Sequence, residues 1–195
     1  MKVLIRLIAS LLIAAPAAAI PPLTENTAVR IIDDALKRQP LFWQGFAIPY
    51  VIELKSTHKD ADMLKAMFKH GLLTQKKEMR MIKLEGADRK KITMIYEYDF
   101  ADPGQQGQGF YYGVGRLKDI LSLSPAYQVG DYFYAEAYVR WYVDDFQSWA
   151  AEPAFRKART LRRSKESKQK PFEKRLYLQH DGKDWAFWQG KPGAL

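Results

Sequence analysis

The stretch YFYAEAYVRWYVD, residues 132–144, alternates between two kinds of side chain along its whole length. One set is small or apolar and comprises Phe133, Ala135, Ala137, Val139, Trp141 and Val143. The other set is aromatic or charged and comprises Tyr132, Tyr134, Glu136, Tyr138, Arg140, Tyr142 and Asp144. Because successive side chains of a strand point to opposite faces, the pattern predicts a long strand with one buried face and one tyrosine-rich face. We expect it to be the central strand of an antiparallel sheet.

Further strands are predicted on both sides of this stretch. Residues 79–84 and 91–100 form a hairpin with its turn at 85–88, and residues 110–123 form the strand that precedes the central one. The Asp181-Gly182 turn joins a last pair of strands, since Asp-Gly favours two-residue hairpin turns. A short helix is predicted at 148–157.

Two helices are predicted before these strands. The first covers 24–39 and ends before Pro40, since the residue preceding a proline avoids helical geometry. The second ends at about His70, and Gly71 suits its left-handed C-terminal cap. Its predicted buried stripe comprises Ala61, Leu64, Met67 and Phe68. Residues 41–54, between the helices, are apolar and predicted to be extended, although Pro49 argues against a central strand there.

The predicted fold class is α+β, with two N-terminal helices followed by a mainly antiparallel β-sheet of about six strands. The second helix, Gly71-Leu72-Leu73 and the following hairpin occur in the order of the last helix and wing of winged-helix domains, which they resemble. The resemblance implies a shared shape and nothing about DNA. We therefore divide the chain into a helical segment plus hairpin at 20–100 and an antiparallel unit at 101–195. One continuous domain is the alternative.

Residues 1–19 have the pattern of a secretory signal peptide. Lys2 and Arg6 give a positive start, residues 7–15 are mostly apolar, and Ala17-Ala18-Ala19 is a small-residue cleavage site. The apolar run is shorter than the roughly 20 residues that a membrane span needs. We expect cleavage near Ala19 and a periplasmic or secreted protein without a transmembrane anchor. The absence of cysteine excludes a disulfide framework and a thiol nucleophile.

The formal net charge of +9 is concentrated in one segment, residues 156–175, where ten residues are Lys or Arg and only Glu166 and Glu173 are acidic. If the segment is helical, Arg156, Arg159 and Arg163 share a face. Such a cluster attracts polyanions. The alternative is a solvated loop that keeps the protein soluble. The candidate binding residues of the segment are Arg156, Lys157, Arg159, Arg162 and Arg163.

The tyrosine-rich face of the central strand is a second candidate binding surface, because tyrosine combines an apolar ring with a polar tip. Its candidate residues are Tyr132, Tyr134, Tyr138 and Tyr142. The alternative is structural, since tyrosine also suits a half-exposed sheet, and a helix could cover this face.

The chain contains no recognisable catalytic, metal-binding or cofactor-binding motif. His58, Asp60 and Asp62 are ligand types, but they also suit a polar helix start. The carboxylates of Glu136, Asp144 and Asp145 are the candidates for paired-carboxylate chemistry. We therefore predict an exported, non-catalytic binding protein of the bacterial envelope, without metal or cofactor, that engages an anionic envelope component, a lipid headgroup or an acidic protein rather than nucleic acid. The alternatives are an inhibitor or immunity-type partner of a secreted enzyme, and a hydrolase that uses carboxylates.

Overall fold

The structure is a computed structural model that describes residues 21–83, 90–105, 107 and 109–190. The predicted signal peptide and the predicted turn at 85–88 lie outside these residues. The described part of the chain contains three α-helices and nine strands, all paired antiparallel, so the α+β prediction is confirmed. In chain order, the elements are α1 (Glu25–Lys37), β1 (Pro40–Trp43), β2 (Tyr50–Glu53), α2 (Ala61–Lys69), β3 (Leu73–Lys83), β4 (Lys90–Phe100), β5 (Phe110–Leu123), β6 (Tyr127–Val129), β7 (Tyr132–Asp144), α3 (Arg159–Lys165), β8 (Phe172–His180) and β9 (Trp185–Trp188).

The larger sheet has six strands, in the order β1-β5-β7-β8-β9 with β6 paired to the start of β7. β7 lies between β5 and β8, as predicted from its alternation. On its apolar face Ala135, Ala137 and Val139 are completely buried. The other face carries the tyrosines, so the predicted division into two faces is confirmed.

The smaller sheet has three strands in the order β2-β4-β3; the sequence predicted its β3–β4 hairpin but not the pairing of β2 with it. Only one of the two predicted helices precedes the sheets, so the predicted order of two N-terminal helices is wrong. β1 and β2 form before α2, and apart from Pro40 they lie within the apolar 41–54 region. Each strand lies at the edge of a different sheet. Edge positions suit this region because proline has no N–H to give to a central ladder.

Helix α1 packs across the apolar face of the larger sheet. The Thr24 side chain accepts a hydrogen bond from the Thr27 N–H and caps the start of the helix. Ala28 and Ile32 are completely buried in one cluster with Val139 of β7 and its neighbours on β8. Burying a large apolar side chain such as Ile32 contributes roughly 1.5–3 kcal/mol to the stability of the fold. This burial holds the helix on the sheet.

Asp33 of α1 also binds the edge of β5. Its Oδ1 atom accepts hydrogen bonds from the Leu117 N–H and from the Arg116 Nε, both at 3.0 Å. β1 pairs only with residues 110–114 of β5, so Leu117 lies beyond the strand that covers this edge. A side chain of the helix therefore satisfies a backbone donor that the sheet leaves unpaired.

A second cluster combines α2, both sheets and the chain after β7. Trp43 lies at its centre, with its ring centroid 5.4 Å from Phe155 and 6.0 Å from Trp149. Leu64 and Met67 of α2 are completely buried in it. Phe68 was predicted to share this stripe, but its side chain is 45% exposed, so that prediction is wrong.

The predicted helix at 148–157 is replaced by two 3₁₀ turns, Ser148–Ala151 and Pro153–Phe155, and the α-helix begins only at Arg159. Glu152 is extended (φ −60°, ψ 147°) because the residue before a proline avoids helical geometry. Pro153 therefore separates the two 3₁₀ turns, and the α-helix begins later, in the basic part of the sequence. Within the described ranges, no helix has the length and apolar character needed to cross a bilayer.

Candidate functional site

Helix α3 carries the first half of the basic segment and is fixed to the sheet by buried groups. Leu161 and Ser164 are buried on its inner side. Just beyond the helix, the Ser167 hydroxyl accepts a hydrogen bond from the Val143 N–H at 2.9 Å and donates to the Ser164 carbonyl at 2.6 Å. The cations on the outer side of α3 therefore project from a fixed support. The segment is not a single loop, because 159–165 is helical and the segment ends within β8.

Four exposed cations between residues 156 and 165 have no partner among the described residues. They are Arg156, Lys157, Arg159 and Arg162. None of them forms an ion pair, a side-chain hydrogen bond or a ring contact with any residue that the structure describes. Arg163 differs, since its guanidinium lies over the Phe172 ring at 5.2 Å from the centroid. These unpaired side chains give the region a positive charge that an anionic ligand could neutralise.

One cleft, which we name the Arg162 cleft, lies between α3 and the 3₁₀ turns. It has a volume of about 510 Å³ and is lined by Ala150, Ala151, Glu152, Pro153, Phe155, Arg156, Arg162, Lys165, Glu166 and Gln169. Its base is mainly apolar and its rim carries three cations. The arrangement suits a ligand that has both an anionic group and an apolar part.

The acidic side chains of the Arg162 cleft already have partners. Glu152 lies 2.9 Å from His70 Nε2 and 3.6 Å from the Lys69 ammonium. The hydrogen bond from His70, followed by the charge of Lys69, lowers the pKa of Glu152 below its ordinary value. Glu166 lies 4.0 Å from the Lys170 ammonium. The charges of Arg156, Arg162 and Lys165 are therefore not cancelled by these two carboxylates.

A second cleft, the Arg163 cleft, lies on the sheet side of α3. It has a volume of about 420 Å³ and is lined by Tyr112, Trp141, Arg159, Thr160, Arg163, Ser164 and Phe172. Trp141 and Phe172 stack with their centroids 4.7 Å apart. Arg159 and Arg163 share this face of α3, as predicted. Arg156 does not share it, because it precedes the helix and lines the Arg162 cleft instead, so that part of the prediction is wrong.

Two cations of the second half of the basic segment, Lys168 and Arg175, are bound to the tyrosine-rich face. Lys168 lies 2.8 Å from the Asp144 carboxylate and 5.6 Å from the centroid of the Tyr142 ring. Arg175 lies 2.8 Å from the Glu136 carboxylate and 5.8 Å from the centroid of the Tyr138 ring. The structure thus brings the two predicted binding surfaces together at these residues, but here the cations already have partners.

The four candidate tyrosines differ in accessibility. Tyr132 is exposed, whereas Tyr134 is buried between Tyr127 and Trp188, with ring centroids 6.2 and 6.3 Å away. Tyr138 and Tyr142 are half-buried. Both α1 and α3 pack against the opposite face of the sheet. Tyr134, Tyr138 and Tyr142 therefore contact neighbouring aromatic and charged groups, and the four tyrosines do not form one continuous platform.

The carboxylates considered for hydrolysis are held by neighbouring donors. The ion pair with Lys168 lowers the pKa of Asp144. Asp145 accepts a hydrogen bond from the Tyr111 hydroxyl at 2.8 Å, and Glu136 binds both Arg175 and the Tyr177 hydroxyl. Catalysis by a pair of carboxyl groups requires one with a raised pKa. Among the described residues, every carboxyl group with a resolved shift has a lowered pKa.

The predicted ligand types at the start of α2 form a small hydrogen-bonded group. Asp60 accepts a hydrogen bond from the Tyr50 hydroxyl at 2.9 Å, and His58 Nδ1 lies 3.4 Å from the same carboxylate. The Asp62 side chain is exposed and pairs with Lys65. In the described ranges, no group of three or more His, Asp or Glu side chains is placed to hold a metal ion.

Several residues of the two clefts were not found from the sequence. Trp141 was assigned to the buried face of β7, and Phe172 and Tyr112 were not considered as site residues. Their role depends on where α3 lies, which strand periodicity does not specify. The signal that was present is the proline at 153, which begins the second 3₁₀ turn and so interrupts the predicted helix before the cationic residues.

Comparisons of the chain with protein-family models, with curated proteins and with solved structures found no match in any of the three. The functional inference therefore depends on the geometry and charge of the molecule itself.

Proposed function

We propose that the chain is an exported, non-catalytic binding protein of the bacterial envelope that engages an anionic component through the cations around α3. The observation that carries the proposal is the group of four exposed cations that have no ion-pair, hydrogen-bond or ring partner among the described residues, Arg156, Lys157, Arg159 and Arg162. The signal-peptide pattern at 1–19 supports the location. A lipid headgroup or an anionic envelope polymer is the expected ligand class, and an acidic protein is the alternative.

The chemistry of the clefts suits phosphate groups in particular. The planar guanidinium of arginine binds phosphate or carboxylate oxygens through two parallel hydrogen bonds. Arg156 and Arg162 line one cleft, and Arg159 and Arg163 line the other. Each cleft therefore offers two guanidinium groups beside an apolar or aromatic wall. A ligand with several phosphates and an attached apolar or sugar portion would use both features.

The test is a binding measurement with lipopolysaccharide and, separately, with soluble inorganic polyphosphate. Replacing Arg156, Lys157, Arg159 and Arg162 together by Gln removes the unpaired charge and leaves the buried side of α3 intact. At about 1 kcal/mol for each cation, the affinity should fall on the order of 100- to 1000-fold at low salt. The dependence of affinity on salt should also become shallower, by roughly 0.7–0.9 logarithmic units for each phosphate that the variant no longer neutralises.

A charge-matched variant provides the control. Arg30, Arg38, Lys55 and Lys59 are exposed cations on other parts of the molecule, and their replacement by Gln removes the same charge. This control should bind nearly as well as the wild type. Equal losses in the two variants would show that net charge alone drives binding. Binding that is insensitive to salt, or undetectable at low salt, would contradict the proposal.

A further inference from the structure

The distal half of the β3–β4 hairpin has an apolar face that no described element covers. β2 pairs with Tyr98 to Ile95 of β4, and beyond that point the ribbon has only two strands. The side chains of Met79, Met81 and Ile92 are 69%, 58% and 62% exposed. Met79 lies opposite Met94, and Met81 lies opposite Ile92. These four adjacent residues form one patch, which we name the methionine face.

Charge is divided between the two faces of this ribbon. The described side chains on the methionine face are Lys77, Met79, Met81, Ile92, Met94 and Tyr96, and none of them is acidic. The carboxylates lie on the opposite face, where Arg80 pairs with both Glu78 and Glu97. Beyond the patch, the last backbone pair of β3 and β4 is Lys83 opposite Lys90. The methionine face thus has an exposed lysine, Lys77, on its inner side, and no carboxylate among its described side chains.

We propose that the methionine face docks into the interfacial layer of an anionic phospholipid bilayer. Lysines can place their alkyl chains along apolar surface while the ammonium group reaches lipid phosphates. Methionine side chains are flexible and adapt to an irregular environment such as the boundary of headgroups and acyl chains. Met79 to Lys83 spans about 13 Å along the strand, which is compatible with an insertion of roughly 5–10 Å into the interface.

The same charge pattern disfavours a second copy of the chain as the occupant. Two methionine faces packed together would bury Lys77 of both copies against a face whose described side chains include no carboxylate. An anionic lipid surface instead supplies negative charge for Lys77. The proposal rests on the proposed envelope location for its setting, but it uses residues different from those around α3.

The absence of cysteine permits a direct test. In the full-length folded protein, Met81→Cys carries an environment-sensitive fluorophore on the methionine face. Arg80→Cys carries the same fluorophore on the opposite face, one residue away. With phosphatidylglycerol vesicles, the Met81→Cys label should shift to the blue and be quenched by lipid-attached quenchers, whereas the Arg80→Cys label should not. Phosphatidylcholine vesicles should give a weaker response. Equal responses from the two labels, or no response from either, would overturn the proposal.

A second measurement uses unlabelled protein. Met79→Ser combined with Met81→Ser should lower partitioning into phosphatidylglycerol vesicles by about tenfold or more. Val51→Ser is the control, since Val51 is an exposed apolar residue on the opposite face of the same small sheet. Unchanged partitioning of the double variant, or a blue shift of the Met81→Cys label that appears with protein concentration in the absence of vesicles, would overturn the proposal.

Polyphosphate binding separates the two proposals. The methionine double variant should bind soluble polyphosphate as the wild type does, because that binding is assigned to the cations around α3. If the wild-type protein binds polyphosphate but does not insert into vesicles, the lipid inference alone is overturned. Vesicle insertion without polyphosphate or lipopolysaccharide binding would support the methionine face and contradict the function proposed for α3.

Discussion

Lys168 lies 2.8 Å from the carboxylate of Asp144, and this ion pair joins the chain after α3 to the last residue of β7. Arg116 lies 3.8 Å from the same carboxylate. The basic segment therefore has two parts with different roles. Lys168 and Arg175 of its second part are bound to the sheet, and the unpaired cations of its first part, around α3, remain available for a ligand.

The Asp144 ion pair should make stability depend on pH in the acid range. The hydrogen bond from Lys168 lowers the pKa of Asp144, so its contribution is present above the ordinary carboxyl pKa of about 3.9 and is lost as the pH falls through the lowered value. Asp144→Asn should lower the free energy of unfolding at neutral pH by at most about 1 kcal/mol, because the pair is partly exposed. Urea denaturation from about pH 7 to pH 2 measures this. The difference between variant and wild type should disappear at the acid end, and Asp62→Asn, at an exposed side chain, should show little difference throughout.

The hydroxyl of Ser167 should contribute more to stability than its small size indicates. Ser167→Ala leaves the buried Val143 N–H without an acceptor, which costs about 1–3 kcal/mol. Urea denaturation at neutral pH measures the loss. Thr160→Ala, an exposed change on α3, should stay within about 0.5 kcal/mol of the wild type. Equal stability of Ser167→Ala and wild type would show that water replaces the hydroxyl.

Gly113 should tolerate no side chain, because β5 and β7 approach closely there. A Cβ atom at this position would lie 2.6 Å from Val143 Cγ1 and 2.7 Å from the Asp144 carbonyl oxygen. The carbonyl belongs to the paired backbone, so Gly113→Ala should destabilise the protein by about 1–3 kcal/mol in thermal or urea unfolding. Gly104→Ala meets only the side chain of Asp102, at 3.2 Å, and should be nearly neutral. A neutral Gly113→Ala variant would show that the strands can separate at low cost.

Tyr111 should ionise later than the other tyrosines in an alkaline titration. Burial, together with the hydrogen bond to the Asp145 carboxylate, raises the pKa of Tyr111 to about 12. The protonated Tyr111 hydroxyl contributes fully to stability below the ordinary tyrosine pKa of about 10. This contribution is lost as the pH rises through the raised pKa. Ultraviolet absorbance should show that Tyr111→Phe removes the latest-titrating tyrosine. Asp145→Asn should bring that transition to lower pH, and an unchanged titration in both variants would contradict this assignment.

The sequence predicted the elements whose pattern is local. The alternation at 132–144 predicted the bounds, the central position and the two faces of β7, and residues 110–123 form the predicted neighbouring strand. Gly71 has the left-handed conformation expected at the end of α2 (φ 72°). In each case neighbouring residues in the chain are sufficient to define the conformation.

Features that depend on how elements pack were not predicted. The exposure of Phe68 follows from the extent of the surface that α2 covers, and helical periodicity does not give that extent. The separation of Arg156 from Arg159 depends on the break in the predicted helix at Pro153, which was not part of the prediction. Residues 92, 94 and 96 share one face of β4 with Tyr98, but the burial of Tyr98 and the exposure of Ile92 depend on where the neighbouring helix ends. Strand periodicity indicates the face and does not indicate what covers it.

The bond between Asp33 and the Leu117 N–H also affects how the protein behaves at high concentration. An open strand edge can pair with a strand from another molecule, which leads to domain swapping and fibril growth. At Leu117, an incoming strand would have to displace a carboxylate that is already bound to Arg116. Helix α1 therefore protects this edge, and the chain can maintain a long aromatic strand at the centre of the sheet without extending the sheet from one molecule to the next at this position.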